Sequence, residues 1–337
     1  MNRINYIDII FGLQWGDEGK GKISNAISKD YDMVCRWNGG PNAGHTVYIN
    51  EKKHKTHIIP CGIFQNKLSV IGPNCVVNVD KFYEEIEYLK KEGFDTSLIK
   101  VSAKAHIITE RHLMYDRLHL KEILGTTGQG IAPAYSDKML RVGKLAKDYI
   151  EKQYIWDGEL YGKVLCEGAQ SFWLDINYGN YPYVTSSETL PYSACSLGFS
   201  PKKIRDIIGV AKIYDTKSGV DPLFPSSLWE DKDLEKIVNL GSEYGSTTGR
   251  KRLVNWLRLN HLIKSIKISG ANRVIINKCD ILEKAEKFKI ILDNDQEGPN
   301  SIDFTSFTLM KDFIKNYIHQ NTEELVQIIF SGDKSKI

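Results

Sequence analysis

The sequence predicts an α/β fold: a mostly parallel central sheet flanked by helices, with a P-loop-like nucleotide-binding architecture. Two observations carry this. Apolar runs of strand length at 4–11, 68–71, 163–166, 207–213, 273–277 and 326–330 alternate with stretches of helical period. Between the first run and the apolar stretch 23–27 stand four glycines in eleven residues, Gly12-Leu13-Gln14-Trp15-Gly16-Asp17-Glu18-Gly19-Lys20-Gly21-Lys22. Alternating β and α elements favour a parallel sheet covered on both faces, with ligand loops at the carboxyl ends of its strands.

In chain order, residues 4–11 read as a buried first strand and 23–27 can start the first helix. The glycines between them let backbone N–H groups turn toward an anion, the helix N-terminus adds partial positive charge, and Lys20 and Lys22 add full charges. A polyphosphate fits. The standard GxxxxGK[ST] loop requires a hydroxyl after its lysine, and this chain has Gly21 there. It has instead a carboxylate, Asp17, which is costly beside phosphates unless a metal or a proton transfer uses it. Lys52-Lys53-His54-Lys55 reads as a solvated hairpin turn. Residues 80–92 place Phe82, Ile86 and Leu89 on one helical face, and Trp256, Leu259, Leu262, Ile263 and Ile266 mark another amphipathic helix. The stretch 177–249 is the least regular and is where long substrate loops are expected.

At 337 residues, with neither an internal repeat nor a low-complexity linker, the chain reads as a single domain over 1–337. A net charge of +3 is too small to argue for nucleic acid or a membrane surface. Six cysteines without a CxxC pair indicate neither a zinc site nor a disulfide framework, and their apolar neighbours suggest core side chains in a reducing compartment. With no signal peptide and no apolar run of about 18 residues, a cytosolic protein is expected.

Asn277-Lys278-Cys279-Asp280 is an NKxD sequence at a strand end. Its carboxylate can accept from N1–H and the exocyclic amine of guanine, while a plain turn with a solvated Asp is the alternative. His45, in Asn42-Ala43-Gly44-His45-Thr46, reads alone as a satisfied structural histidine. Thr127, Gln170 and Thr185 read alone as turn chemistry. Thr247-Thr248-Gly249-Arg250-Lys251-Arg252 suits either a solvated turn or a carboxylate clamp.

Together, QWGDEGK, Asn42 to Thr46, Gly125-Thr-Thr-Gly128, Glu167-Gly-Ala-Gln170, Tyr181-Pro-Tyr-Val-Thr-Ser186, Thr247-Thr-Gly-Arg250 and Asn277 to Asp280 resemble, in the same order, the motifs of adenylosuccinate synthetases. The chain is similar to compact archaeal and phage-type members, which lack a helical insertion between the Arg141 region and Glu167 and have a trimmed C-terminal part. The resemblance implies Asp17, His45 and Lys20 as catalytic. It implies GTP on Gly16 to Lys22, Gly44 to Thr46, Arg252, Lys278, Cys279, Asp280, Ser331 and Gly332. IMP would lie on Asp17, Lys20, Asn42, Ala43, Gly44, His45, Thr127, Gln170, Thr185 and Arg250, with Arg141 reaching in from the other subunit of a homodimer. L-aspartate would be held by Thr247, Thr248, Gly249, Arg250 and Arg252, and Mg²⁺ by Asp17 and Gly44.

Several positions depart from that pattern. Pro41 and Lys251 replace other residues, Gln129 replaces an arginine, and Asp333 replaces a proline in the late base-contacting loop. Lys217, Ser218, Val220 and Asp221 stand where arginine, valine, alanine and glycine are common, and 188–200 diverges as well. The implied activity is GTP-dependent addition of aspartate to IMP. Two alternatives stand beside it: a phage-type enzyme using dGMP and ATP, usually associated with loss of the loop aspartate, and a non-catalytic GTP-binding paralogue, for which an aspartate clamp has no use.

Overall fold

The computed structural model describes residues 3–219, 221–224, 231–245, 249, 251–294 and 298–332. The strands of its first half are β1 (Ile4–Gly12), β2 (Met33–Arg36), the hairpin β3 (His45–Ile49) and β4 (Lys52–Thr56), β5 (Leu68–Ile71), β6 (Val76–Val77), β7 (Ile99–Ser102) and β8 (His106–Ile107). Those of the second half are β9 (Ile155–Trp156), β10 (Gly162–Ser171), β11 (Ile204–Lys212), β12 (Tyr214–Lys217), β13 (Leu253–Arg258), β14 (Arg273–Asn277), β15 (Lys289–Asn294), β16 (Gly298–Asp303) and β17 (Gln327–Phe330). Nine form one sheet in the order β17-β14-β11-β1-β10-β2-β5-β7-β9, every pairing parallel. A second sheet, β12-β13-β15-β16, is of mixed direction.

The central position of β1 explains its apolar run. Ile7, Ile9 and Phe11 enter the large core on one face, while Ile10 packs on the other with Leu165, Ile208 and Ile23 of α1 (Lys20–Ser28). The hairpin β3–β4 lies on α1 so closely that a Cβ on Gly21 would stand 2.8 Å from the Cβ of His45. The standard phosphate-loop hydroxyl is therefore sterically excluded here. Helix α2 (Val79–Lys91) is capped by the Asn78 side chain, which accepts from the Lys81 N–H, and buries Phe82, Ile86 and Leu89 as its period demands.

A helical turn α3 (Glu110–Tyr115), a π-helical turn Asp116–Leu120 and α4 (Lys121–Leu124) lead to α5 (Ile131–Leu140). The C-terminal half adds α6 (Lys232–Gly241), α7 (Leu259–Ser269), α8 (Cys279–Ala285) and α9 (Phe307–Asn321). No helix among the described residues is long and apolar enough to cross a membrane.

Three expectations need correction. Lys52 to Lys55 lie in β4, with the turn displaced to Asn50 and Glu51, both at positive φ. His54 points inward, buried against Phe64, Tyr88 and Phe94. Trp256 belongs to β13, because α7 starts only at Leu259; the apolar spacing runs across a strand-to-helix junction. The strand read at 163–166 is longer than its apolar run: β10 continues to Ser171 and includes Glu167 to Gln170. All six cysteines are free, five of them buried and Cys195 partly so.

Candidate active site

The glycine loop is organised by one of its own carboxylates. Gly16, Asp17 and Gly19 have positive φ, the two glycines at no steric cost and Asp17 as a strained exception. This path turns the N–H groups of Gln14 and Gly16 onto Glu18 Oε1, at 3.2 and 2.9 Å. Glu18 Oε2 accepts from Lys20 Nζ at 2.7 Å and from Ser171 Oγ at 2.8 Å. The anion nested in the loop is thus Glu18, and Lys20 is buried against it. Gln14 bridges to β11 and β12, donating to Lys212 O and Asp215 Oδ1 and accepting from Lys212 N. Trp15 stacks on Trp173 with ring centres 5.5 Å apart, and the Arg258 guanidinium lies 4.4 Å over the Trp15 ring.

The NKxD end of β14 is tied directly to this loop. Asn277 donates to the Glu18 carbonyl at 2.8 Å, and Lys22 donates to the Gly332 carbonyl at 2.5 Å. Cys279 N–H donates to Ser331 O, and Gly332 lies against the Asp280 side chain. Lys278, at positive φ, caps α8 and reaches the Gly241 carbonyl at 3.5 Å, while Asp280 pairs with Lys284 at 3.1 Å. The NKxD sequence, the Ser331-Gly332 loop and the glycine loop therefore form one continuous edge.

His45 begins β3 and is buried, with Nδ1 2.8 Å from Glu167 Oε1 and 3.6 Å from Cys61 Sγ. Glu167 Oε2 accepts from Ser24 Oγ at 2.5 Å and from Cys61 N–H at 3.0 Å. Arg36, opposite Glu167 in the β2–β10 register, is fully buried with its Nη1 3.9 Å from Oε1. Burial and then Arg36 lower the His45 pKa, against the opposing pull of Glu167. Burial tends to raise the Glu167 pKa, but His45 and Arg36 outweigh it and hold the carboxyl at about 2.

Asp17 lies 2.8 Å from Arg252 Nε and accepts from Ser218 Oγ at 3.1 Å. Arg252 Nη1 donates to Glu243 Oε2 at 2.6 Å, so its fork is already shared between two carboxylates. Glu243, fully buried, also accepts from Lys212 Nζ and from the Tyr214 hydroxyl at 2.6 Å. Burial pushes its pKa up, but Lys212, Arg252 and Tyr214 together bring it down to about 2. Gly249 is at positive φ; Thr247, Thr248 and Arg250 of the expected aspartate clamp lie outside the described residues, as does Asp333.

At the presumed acceptor end, Gln170 sits at positive φ and its Oε1, like Oδ1 of Asn42, is buried without a hydrogen-bond partner among the described residues. Asp116 fixes the loop carrying Thr127, accepting from Thr126 Oγ1 at 2.5 Å and Gly130 N–H at 2.7 Å. Gln129 accepts from Lys81, which places a cation where an arginine was expected. Lys217 and Asp221 form a buried pair at 3.5 Å, and Lys217 also donates to Tyr183 O. Thr185 N–H donates to Leu174 O. Arg141 is exposed at the C-terminal end of α5.

Sequence reasoning missed Glu243, Arg36, Asp116 and Lys212, and gave Glu167 no role beyond its motif. Only register and tertiary pairing reveal them. The fold and its glycine loop define an α/β enzyme of nucleotide-binding type. A sequence profile described as Adenylosuccinate synthetase matches residues 9–158 and 152–315. The adenylosuccinate synthetases of Porphyromonas gingivalis and Clostridium kluyveri are 36% and 39% identical, covering 88% and 84% of this chain and 84% and 79% of their own. The structure of fully ligated adenylosuccinate synthetase from Plasmodium falciparum matches with TM-score 0.82 and 28% identity over 96% of both chains. Succinoaminodeoxyadenylate synthetase of cyanophage S-2L, bound to dGMP and dATP, shares the fold with TM-score 0.73 at 17% identity, over 99% of this chain and 94% of its own. The chain belongs to the adenylosuccinate synthetase family. The first relative aligns over 355 positions, more than the 337 residues here, so it carries segments that this chain lacks. The two profile segments meet at 152–158, between Arg141 and Glu167.

Because Glu243 is held at about 2 against an ordinary 4.5, its stabilising contribution is complete above about 4.5 and lost as pH falls toward 2. Urea unfolding of wild type and Glu243→Gln is expected to differ most near neutral pH, the gap closing as pH falls through that window. A gap independent of pH would mean that Glu243 carries no charge in the folded protein.

Proposed function

We propose that this chain joins L-aspartate to IMP at the expense of GTP, through a 6-phosphoryl-IMP intermediate, giving adenylosuccinate, GDP and phosphate. As a member of its family it is a C–N ligase of purine biosynthesis that binds GTP. The observation that carries the detailed reading is the carboxylate of Asp17 inside a glycine loop joined through Glu18 to Asn277 and through Lys22 to Gly332. One nucleotide can then be gripped at both ends beside a group able to take a proton.

Mg²⁺ suits the donors available. The Asp17 carboxylate and the Gly44 carbonyl are hard oxygens, and a nucleotide's phosphates and water would complete an octahedral shell. Held there, Mg²⁺ would supply charge neutralisation at the phosphates. Lys20 leaves Glu18 for the β- and γ-phosphates. Asp17 removes the N1 proton of IMP, which develops negative charge on O6, and O6 attacks the γ-phosphate. His45 stabilises that charge, and the proton it needs is compensated by Glu167 at 2.8 Å from its other nitrogen. The aspartate amine then displaces phosphate at C6, its carboxylates held by Thr247, Thr248, Arg250 and Arg252 around Gly249. Asn42, Ala43, Thr127, Gln170 and Thr185 hold the acceptor nucleotide.

Incubation with IMP, Mg–GTP and L-aspartate is expected to yield adenylosuccinate, GDP and phosphate in equal amounts. Product from dGMP and ATP alone would replace this reading with the phage-type one, and nucleotide binding without any product would leave a GTP-binding paralogue. Asp17→Asn should keep nucleotide affinity within about tenfold while turnover falls by at least ~10²-fold, as for a lost general base. Comparable turnover in that variant would remove the proton-abstraction role. Asp280→Asn should weaken GTP and favour xanthosine triphosphate, whose 2-oxo group accepts where the amine donated; unchanged preference would free Asp280 from base reading.

Exposed apolar side chains in the region that carries Arg141 support a homodimer. Leu118, Ile123, Met139, Leu140 and Val142 are each at least 65% exposed, an apolar patch that a second copy would cover. Arg141 would then enter the partner's acceptor pocket. Mixing Arg141→Leu with Asp17→Ala should restore up to about half the wild-type rate per heterodimer, since one of its two equivalent sites carries neither defect. No recovery despite verified subunit exchange would place Arg141 outside the neighbouring site.

A further inference from the structure

His45, Cys61 and Glu167 come from three different elements, β3, the turn after Pro60 and β10, yet each turns one donor atom to the same point. Their imidazole nitrogen, thiol sulfur and carboxylate oxygen all lie within 4.8 Å of one another, and all three residues are buried. The His45 Nδ1 to Cys61 Sγ distance is 3.6 Å. A tetrahedral ion with Zn–S of about 2.3 Å and Zn–N of about 2.0–2.1 Å sets that separation at about 3.5 Å. Glu167 is prepared as well. Its Oε2 is fixed by Ser24 and the Cys61 N–H, whereas Oε1 is paired with His45 Nδ1 at 2.8 Å, a contact the ion would have to open. With one oxygen anchored and the other directed only at a neighbouring donor of the same cluster and at Arg36, the carboxylate is already oriented as a ligand would be.

We propose that His45, Cys61 and Glu167 form a site for a thiophilic divalent cation, Zn²⁺ or Cd²⁺, whose binding takes His45 out of the reaction. A set of one nitrogen, one sulfur and one oxygen selects such ions over Mg²⁺, which prefers oxygen donors in octahedral geometry. Arg36, 3.9 Å from Glu167, opposes added positive charge, and Glu167 already balances it. On binding, the metal–sulfur bond forms as the thiol proton leaves to solvent, and Glu167 enters already ionised. His45 gives the Nδ1 lone pair with its proton on Nε2. Nothing is oxidised or reduced. Ligation takes the Nδ1 lone pair and replaces the 2.8 Å pairing with Glu167, so the ring is held by the ion instead of by the carboxylate that backs it toward O6. That last consequence rests on the catalytic role proposed above for His45; the site itself does not.

The test uses untagged full-length protein titrated with Cd²⁺, followed by the near-ultraviolet thiolate-to-metal charge-transfer band. One equivalent should bind with the band present, and Cys61→Ser should lose the band and bind at least ~100-fold more weakly, the loss of a direct ligand exceeding the 10–100-fold of an outer-shell change. Thermal melting verifies that this variant is folded. Absence of the band in wild type, or its persistence in Cys61→Ser, overturns the site. In parallel, turnover with Mg–GTP is compared with each protein's own zinc-free rate. Wild type should lose at least ~90% of its activity on one equivalent of Zn²⁺, recovered by a zinc-selective chelator, while Cys61→Ser should resist. A Cys61-dependent band with wild-type turnover unaffected would overturn the inhibitory consequence, and with it the catalytic role of His45, while leaving the metal site standing.

Discussion

The Glu18 carboxylate is the constraint on which the nucleotide edge of this molecule depends. It gathers two N–H groups of its own loop, the ammonium of Lys20 and the hydroxyl of Ser171, while its carbonyl receives Asn277. Five groups from the glycine loop, α1, β10 and β14 meet on one residue. Burying a carboxylate is costly unless hydrogen bonds and a countercharge replace its water, and here both do. The glycine loop is therefore stiff before any ligand arrives, and the lysine it presents is held rather than solvated.

Two further buried carboxylates repeat the scheme on either side. Glu167 fixes the hairpin end through His45 and Cys61, and Glu243 fixes Arg252 against Asp17. Glu167 lies within β10 opposite Arg36, and Glu243 in the segment between α6 and β13. The divergent loops keep charge even where they change residues. Lys217 is matched by Asp221, and Gln129 accepts from Lys81, so both changed positions are internally paired.

Much of this was legible because it is local. The glycine loop, the strand lengths and the period of α2 depend on neighbours within a few residues, and the order of the motifs was enough to show the family. What was not legible is non-local. Arg36 and Glu167 are far apart in sequence and meet only through the β2–β10 register. Glu243, in an ordinary-looking stretch after α6, acquires meaning only when Lys212 and Arg252 converge on it. Trp256 misled because three-residue spacing is satisfied as well by the end of a strand running into a helix. The lysines of β4 misled because their charges overrode an alternation in which His54 points inward.

The close approach of Gly21 to His45 reaches further than packing. Since no side chain fits after the loop lysine, the chain cannot adopt the serine or threonine that steadies the ion in ordinary nucleotide switches. In the proposed reaction an acid on the opposite shoulder of the loop, Asp17, takes over that duty. An acid, unlike an alcohol, can also accept a proton from whatever lies beside it. One missing hydroxyl thus marks the divide between a loop suited to timing hydrolysis and one suited to building a bond.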